Sequence, residues 1–179
     1  MHVLLETERL LLRAFTRADL DDLRELHADS EVMRFLDSGH PEPELLVTEY
    51  ADPGSFGYWA AAEKAGGGFL GWFEFRPVRA GRRDEVELGY RLRRSAWGKG
   101  YATEGALALL HEGFTAWGVR RVVATTMAVN TASRRVMEKC GLRYVRTFHV
   151  EWPDPLPGAE HGEVEYALTA AERARPDTP

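Results

Sequence analysis

The sequence predicts an α+β domain with a central, mixed but mostly antiparallel sheet of about seven strands and helices on both faces. Three observations carry this. Between Phe56 and Arg93, three aromatic-rich or alternating segments follow one another across short glycine- and arginine-containing turns, as antiparallel neighbours do. A helix-length run then begins at "WGKGYATEGALALL" and leads into the buried-type strand "RRVVATTM". A short capped helix and two further strands close the pattern.

In chain order, "RLLLRAF" (9–15) reads as a short apolar strand. Thr16 followed by Asp19 looks like a helix cap with an acidic first turn, and Leu20, Leu23, Leu26 and His27 at helical spacing extend that helix over roughly 17–28. A weaker helical stretch surrounds Val32–Leu36, and "PEPELLVTEY" begins another with prolines near its first turn. The segments "FGYWAAAE", "GFLGWFEFRP" and "DEVELGYRLR" are the three antiparallel strands. In the third, Val86, Leu88, Tyr90 and Leu92 point one way and Glu85, Glu87, Gly89 and Arg91 the other. A helix from about 102 to 117 stops at Gly118, a favoured terminator. "NTASRRVMEKCG" opens on the capping residue Asn130 and ends on glycine, giving a helix of about 131–140. The strands "LRYVRTFHVEW" and "GEVEYALT" bracket the loop "PDPLPGAEH", and residues 170–179 read as a frayed tail. With no internal repeat or linker, residues 1–179 are expected to form a single domain.

Composition narrows the function. The chain of 179 residues carries a net charge of −5 with 28% charged and 44% hydrophobic residues, ordinary for a globular protein and unsuited to general nucleic-acid binding. Local arginines at 82–83 and 91–94 suit a small phosphorylated ligand better than a duplex. A single cysteine, Cys140, excludes an internal disulfide framework; "MHVLLETERLLLR" is too charged for a signal peptide's apolar core, and no run has the length of a membrane span. These features point to a cytoplasmic protein with neither nucleic acid nor membrane as partner. Ile and Gln are absent, Lys numbers three against twenty Arg, and Asn130 is the sole asparagine, so Lys99 and Asn130 stand out.

The turn before the long helix, Trp97-Gly98-Lys99-Gly100, can bind an anion. Helix-start N–H groups lack intrahelical partners, the dipole is positive there, and glycines let backbone approach a ligand. A tight turn is the bland alternative. A P-loop fails, because Arg93 stands at its first glycine and Gly100 at its Ser/Thr; a dinucleotide fingerprint fails at Thr103, its third glycine, and lacks the acidic residue near Thr125. What survives is a strand, an amide-rich turn and a helix aimed at a diphosphate.

Here the sequence resembles the GNAT superfamily of acetyl-coenzyme A-dependent N-acyltransferases, whose pyrophosphate loop reads Gln/Arg-x-x-Gly-x-Gly/Ala. Trp97-Gly98-Lys99-Gly100-Tyr101-Ala102 matches it except that Trp97 replaces Gln or Arg. "LETERLLLRAF", "EVELGYRL", "WGKGYATE" and "NTASRRVMEKCGL", in that order over about 5–169, look like the RimJ/RimL-type branch of ribosomal-protein and small-amine acetyltransferases. The resemblance implies a GNAT-like fold whose strands splay beside the loop. The pyrophosphate would lie on Trp97, Gly98, Lys99, Gly100, Tyr101, Ala102 and Thr103, and the pantetheine arm on main-chain groups of Tyr90, Arg91 and Leu92. Asn130 looks like the family's cofactor-contacting asparagine, though it suits a helix cap equally.

The chemistry implied is attack of an amine on a thioester, which needs a proton acceptor, an oxyanion donor and a donor near the leaving sulfur. An N–H within Leu88-Gly89-Tyr90 is the expected oxyanion donor, with Gly89 marking a bulge or kink. Many relatives carry a tyrosine donor where this chain has Met137; Ser133 instead fits the branch's N-x-x-S pattern and is expected to reach the sulfur, while also suiting an ordinary first helical turn. Glu87 is the first choice of base, with Glu74, Glu165, His149 and His161 as rivals, although exposed glutamates and lone histidines are usually structural. Cys140 reads as buried filler, and no His cluster of metal-binding spacing occurs, so no catalytic metal is expected. The expected activity is acetyl transfer from acetyl-coenzyme A, as co-substrate, to a protein N-terminus or small-molecule amine in a ternary complex. An acyl-coenzyme A sensing module on the same fold is the alternative, and a homodimer stays open.

Overall fold

The computed structural model describes residues 3–36, 41–50, 54–151 and 154–174. Eight strands form one sheet: β1 (Val3–Glu6), β2 (Leu10–Arg13), β3 (Gly57–Glu63), β4 (Phe69–Arg79), β5 (Arg82–Leu92), β6 (Arg121–Met127), β7 (Arg143–Phe148) and β8 (Glu163–Thr169). Their spatial order is β1-β2-β3-β4-β5-β6-β8-β7. All neighbours are antiparallel except β5 and β6. The expected mixed, mostly antiparallel sheet is therefore present with one strand more than expected, β1, whose four residues precede the region read as strand. The segment "LRYVRTFHVEW" ends as strand at Phe148, short of the expected 152.

The helices are α1 (Leu20–Ala28), α2 (Ser30–Met33), α3 (Pro43–Glu49), α4 (Tyr101–Thr115), α5 (Thr131–Lys139) and α6 (Ala170–Arg173). Thr16 and Asp19 form the expected cap, both the N–H and the hydroxyl of Thr16 donating to Asp19 Oδ2 at 2.7 and 2.9 Å. A single 3-10 turn at Arg17–Asp19 then leads into α1. Residues 170–173 correct the frayed-tail expectation: Thr169 caps α6, its hydroxyl accepting from the Glu172 N–H while the Glu172 carboxylate accepts from both Thr169 donors. Residues 175–179 of that expected tail lie outside the described residues.

Alternation along the strands feeds two cores. On one face Trp59, Phe73, Phe75, Val86 and Leu88 pack with Leu109 and Leu110 of α4 and Met137 of α5. On the other, Tyr58, Ala60 and Trp72 pack with Phe15, just after β2, and with Leu23, Leu26, Val32 and Leu46 from the segment spanning α1 to α3. Helices thus cover both faces, as expected. Two glycines in α4, Gly105 and Gly113, face the rings of Phe73 and Phe75, and a methyl group at either position would overlap those rings. Their cost in helix propensity is offset by letting α4 settle onto the sheet.

Candidate active site

The single parallel pairing creates an opening. β5 and β6 are joined at Glu85–Arg121, Val86–Val122 and Glu87–Val123. Beyond that point β5 continues to Leu92 paired with β4, while β6 continues to Met127 paired with β8. The strands therefore splay from residue 88 onward, beside the turn that leads into α4. Leu88, Gly89, Tyr90 and Arg91 lie on the β5 margin of this split and Asn130 and Ser133 at its far side, on the start of α5.

At the mouth of the split, Gly98 and Gly100 have φ of 71° and 85°, the left-handed region that glycine adopts without strain. Gly100 precedes α4 with no side chain capping it, so the first-turn N–H groups of Tyr101, Ala102 and Thr103 have no intrahelical acceptor. Lys99 makes no salt bridge among the described residues. The neighbouring arginines do: Arg93 pairs with Asp22 and Glu25 at 2.6 and 2.8 Å, and Arg94 with Asp29 at 2.7 Å. Arg82 pairs with Asp84 at 2.7 Å. These ion pairs neutralise those arginines within the protein, whereas the Lys99 ammonium has no ion-pair partner among the described residues. Trp97, half-exposed, donates its indole N–H to the Leu92 carbonyl at 2.8 Å, taking one of that oxygen's two acceptor positions. The Tyr101 side chain is buried, its hydroxyl donating to Glu63 at 2.6 Å.

One structural partner of the turn escaped the sequence reading. Arg9 donates to the Lys99 carbonyl at 2.9 Å and pairs with Glu104 at 2.6 Å, and the Thr7 hydroxyl donates to the same carboxylate at 2.5 Å. Thus "TER" at 7–9 and "ATE" at 102–104 are two halves of one brace. The opposite charges of Arg9 and Glu104 were visible in the sequence, but the contact joins residues 95 apart and leaves no local pattern.

Across the split, Asn130 caps α5: its Oδ1 accepts the Ser133 N–H at 3.2 Å and its Nδ2 donates to Thr126 at 3.0 Å. The capping reading is therefore real. Ser133 Oγ lies 3.0 Å from the Tyr90 hydroxyl, which also donates to the Ser133 carbonyl at 3.1 Å. Burial pushes the Tyr90 phenol well above its usual range, keeping it protonated. Tyr90 had been expected to act through its main chain; its side chain joins β5 to α5 across the floor of the split. Met137 is buried in the core and takes no part. Cys140 is buried as expected, its thiol pushed up to about 12 by burial.

The carboxylates sort by environment. Glu87 pairs with Arg76 at 2.9 Å and accepts from the Thr125 hydroxyl at 3.3 Å. Glu74 also pairs with Arg76 and lies opposite Gly89 in the β4–β5 ladder, which is continuous from Gly71–Leu92 through Pro77–Val86. Gly89 is therefore not a bulge. A methyl group there would lie 2.8 Å from Glu74 Oε2, so Gly89 makes room for that carboxyl. Burial pushes Glu74 above the usual carboxylate range; Glu87 adds to this, while Arg76 and the Tyr58 hydroxyl oppose it. Burial would raise Glu165 too, but Arg146 and Arg121 at 2.8 and 3.0 Å hold it below that range. His161 is exposed beside Glu160, and His149 lies 3.3 Å from the Glu160 carbonyl. Arg91, on the Glu87 face as expected, is buried, its guanidinium over Trp72 and 3.1 Å from His27 Nε2. Among the described residues, no group of three or more His, Cys, Asp or Glu could hold a metal, and no helix is long and apolar enough to cross a membrane.

A split sheet with an amide-rich glycine turn and helix at its mouth is the architecture of an acyl-coenzyme A-dependent transferase. The model of the acetyltransferase (GNAT) domain matches residues 9–143, and the chain belongs to this family. It is 36% identical to the FsC-acetyl coenzyme A-N(2)-transacetylase of Aspergillus fumigatus, over 98% of this chain and 80% of that protein. It is similar to the crystal structure of a GNAT-family acetyltransferase from Bacillus anthracis, with a TM-score of 0.78, 27% identity and coverage of 96% of this chain and 100% of that one. Spermidine N-acetyltransferase from Vibrio cholerae, solved with CoA and spermine, shares the fold with a TM-score of 0.77 at 16% identity, over 94% of this chain and 100% of that one. The protein is an acetyl-coenzyme A-dependent N-acetyltransferase.

Proposed function

We propose that the protein acetylates a primary amine, on a small molecule or a peptide N-terminus, by direct attack on acetyl-coenzyme A in a ternary complex, and that it belongs to the RimJ/RimL-type branch. The observation that carries this reading is the split that opens beyond Glu87–Val123. It offers a pantetheine arm the unpaired main chain of Leu88, Tyr90 and Leu92, whose groups alternate away from β4; Arg91 drops out of the expected set, because the same alternation turns its main chain toward β4, where its carbonyl faces Gly71. The diphosphate then meets Trp97, Gly98, Lys99, Gly100, Tyr101, Ala102 and Thr103 through backbone N–H groups and the Lys99 ammonium. Binding in this way places the thioester near Leu88–Tyr90, with Asn130 and Ser133 on the facing helix.

Ser133 supplies the proton for the departing sulfur, and Tyr90, bonded to Ser133 Oγ, restores it. This pair does the work that a tyrosine in place of Met137 does in relatives. The brace between Thr7, Arg9 and Glu104 supports the branch reading, because it couples two of the motifs that define the resemblance. The transacetylase relative, whose name places acetyl transfer at an N(2) atom, supports transfer to nitrogen. A peptide α-amine, with a pKa near 8, is partly neutral at pH 7, whereas a lysine-like amine near 10.4 needs a stronger base.

Isothermal titration with acetyl-coenzyme A, beside NAD as a control, tests the first half of the reading: micromolar-range binding of the former alone is expected. A thiol-release assay over α-amino peptides, amino acids and polyamines tests the second. Tight coenzyme A binding with background turnover across the panel would favour a sensing module.

A further inference from the structure

We propose that Glu74, rather than Glu87, is the carboxylate that takes the proton from the acceptor amine, with Arg76 and Glu87 as the residues that position it. The inference rests on the acetyltransfer reading above. Tyr58, Glu74 and Gly89 stand in one row across β3, β4 and β5, on the sheet face opposite α4. Gly89 is also the second residue beyond the last β5–β6 pair, so the row ends at the split. The Glu74 carboxyl fills the space that a side chain at 89 would occupy. An amine approaching a thioester carried on the Leu88–Tyr90 margin from that face arrives beside Glu74 Oε2. Glu87 lies one row back and is engaged at both oxygens, Oε2 by Arg76 and Oε1 by Thr125.

The step balances as follows. The amine nitrogen forms a bond to the acetyl carbonyl carbon and gives one proton to the Glu74 carboxylate. The carbon–sulfur bond breaks with its electron pair on sulfur, which takes a proton from Ser133. Glu74 then releases its proton to solvent and the Tyr90–Ser133 pair recovers one, leaving amide and free coenzyme A thiol. The groups facing Glu74 are the Tyr58 hydroxyl from β3, Arg76 on its own strand and Glu87 from β5, which Thr125 of β6 holds in turn, with Arg91 and the α1 residue His27 further along the same face. Burial and the Glu87 charge favour the protonated acid and Arg76 opposes them. The base form is therefore lost at a higher pH than for an ordinary glutamate, and activity falls as pH drops through that value.

Glu74→Gln, Glu74→Ala and Glu87→Gln are compared with the wild type by thermal melting, acetyl-coenzyme A titration and thiol release with an α-amino peptide and spermidine. Glu74→Gln is expected to bind acetyl-coenzyme A within about threefold of wild type, to lose on the order of 100-fold in kcat, and to lose the acid limb of the kcat/KM profile. Glu87→Gln is expected to move that limb to lower pH, since it removes the like charge and leaves Arg76 to Glu74 alone. Formate should restore part of the Glu74→Ala turnover, which a purely structural role would not allow. Turnover of Glu74→Gln within twofold of wild type, the large loss falling on Glu87→Gln instead, or no formate rescue of a folded Glu74→Ala would each overturn the assignment. Should Glu74→Gln not fold, Glu74→Asp serves: reduced kcat at unchanged KM for acetyl-coenzyme A is expected, and an unchanged kcat would overturn it. A wild type that turns over neither amine overturns the acetyltransfer reading itself, and the base with it.

Discussion

Asp19 is nearly inaccessible yet charged, because Arg13 meets it through two hydrogen bonds of 2.6 and 2.7 Å and Thr16 supplies two more donors. Burial alone would raise its pKa, but those donors hold the carboxyl below the usual range. A depressed carboxylate contributes stability that is complete above the unfolded value near 3.9 and is lost as pH falls through the lower folded value. Asp19→Ala, which strands the buried guanidinium, is expected to cost about 3 kcal/mol at pH 7 by urea unfolding, with the gap to wild type closing in acid. At the turn, Gly100→Val is expected to abolish acetyl-coenzyme A binding in a folded protein. Its φ of 85° strains any branched residue, and the new side chain would project toward Arg9. Ser133→Ala should lower kcat by more than it raises the coenzyme A Kd, measured by thiol release and titration. Single residues were legible where one local rule acts, as at Thr16, Gly100 and Asn130. Glu74 was legible only as a rival, because what distinguishes it is the register that sets it against Gly89, a pairing between strands that one-dimensional alternation does not encode.

At the scale of elements, α4 is held by shape on one side and by charge at its start. Gly105→Ala and Gly113→Ala would each gain about 1 kcal/mol of helix propensity, but overpacking against Phe73 or Phe75 costs 1–3 kcal/mol, so a lowered Tm is expected for both. At its N-terminus, Glu104→Ala frees Arg9 and Thr7, and is expected to weaken acetyl-coenzyme A binding several-fold while the sheet stays folded, as titration beside circular dichroism would show. The alternating and capped segments announced themselves: β3 to β6, α4 and α5 stand within a few residues of where periodicity and capping put them. The strand β1 did not, since four residues ahead of a charged turn carry too little periodicity. Nor did α6, whose existence depends on a capping box at the end of a strand.

For the whole molecule, ligand and fold are one equilibrium. Acetyl-coenzyme A at a hundredfold its Kd should add about 2.7 kcal/mol to the unfolding free energy, read as a concentration-dependent rise in Tm that NAD does not reproduce. The sheet order itself was beyond the sequence, because the insertion of β6 between β5 and β8, with β7 outermost, is settled by long-range pairing that leaves no mark in any one strand. That order leaves β1 to β5 and the trio β6, β8 and β7 joined along the backbone ladder by a short run, the pairs Glu85–Arg121, Val86–Val122 and Glu87–Val123 and the bond from the Arg120 N–H to the Asp84 carbonyl just before them. The sheet is in effect two panels on a short hinge, and a molecule lodged in the gap would act as a bolt between them. Without it, amide exchange should report the panels opening as separate cooperative units, and with it they should exchange as one.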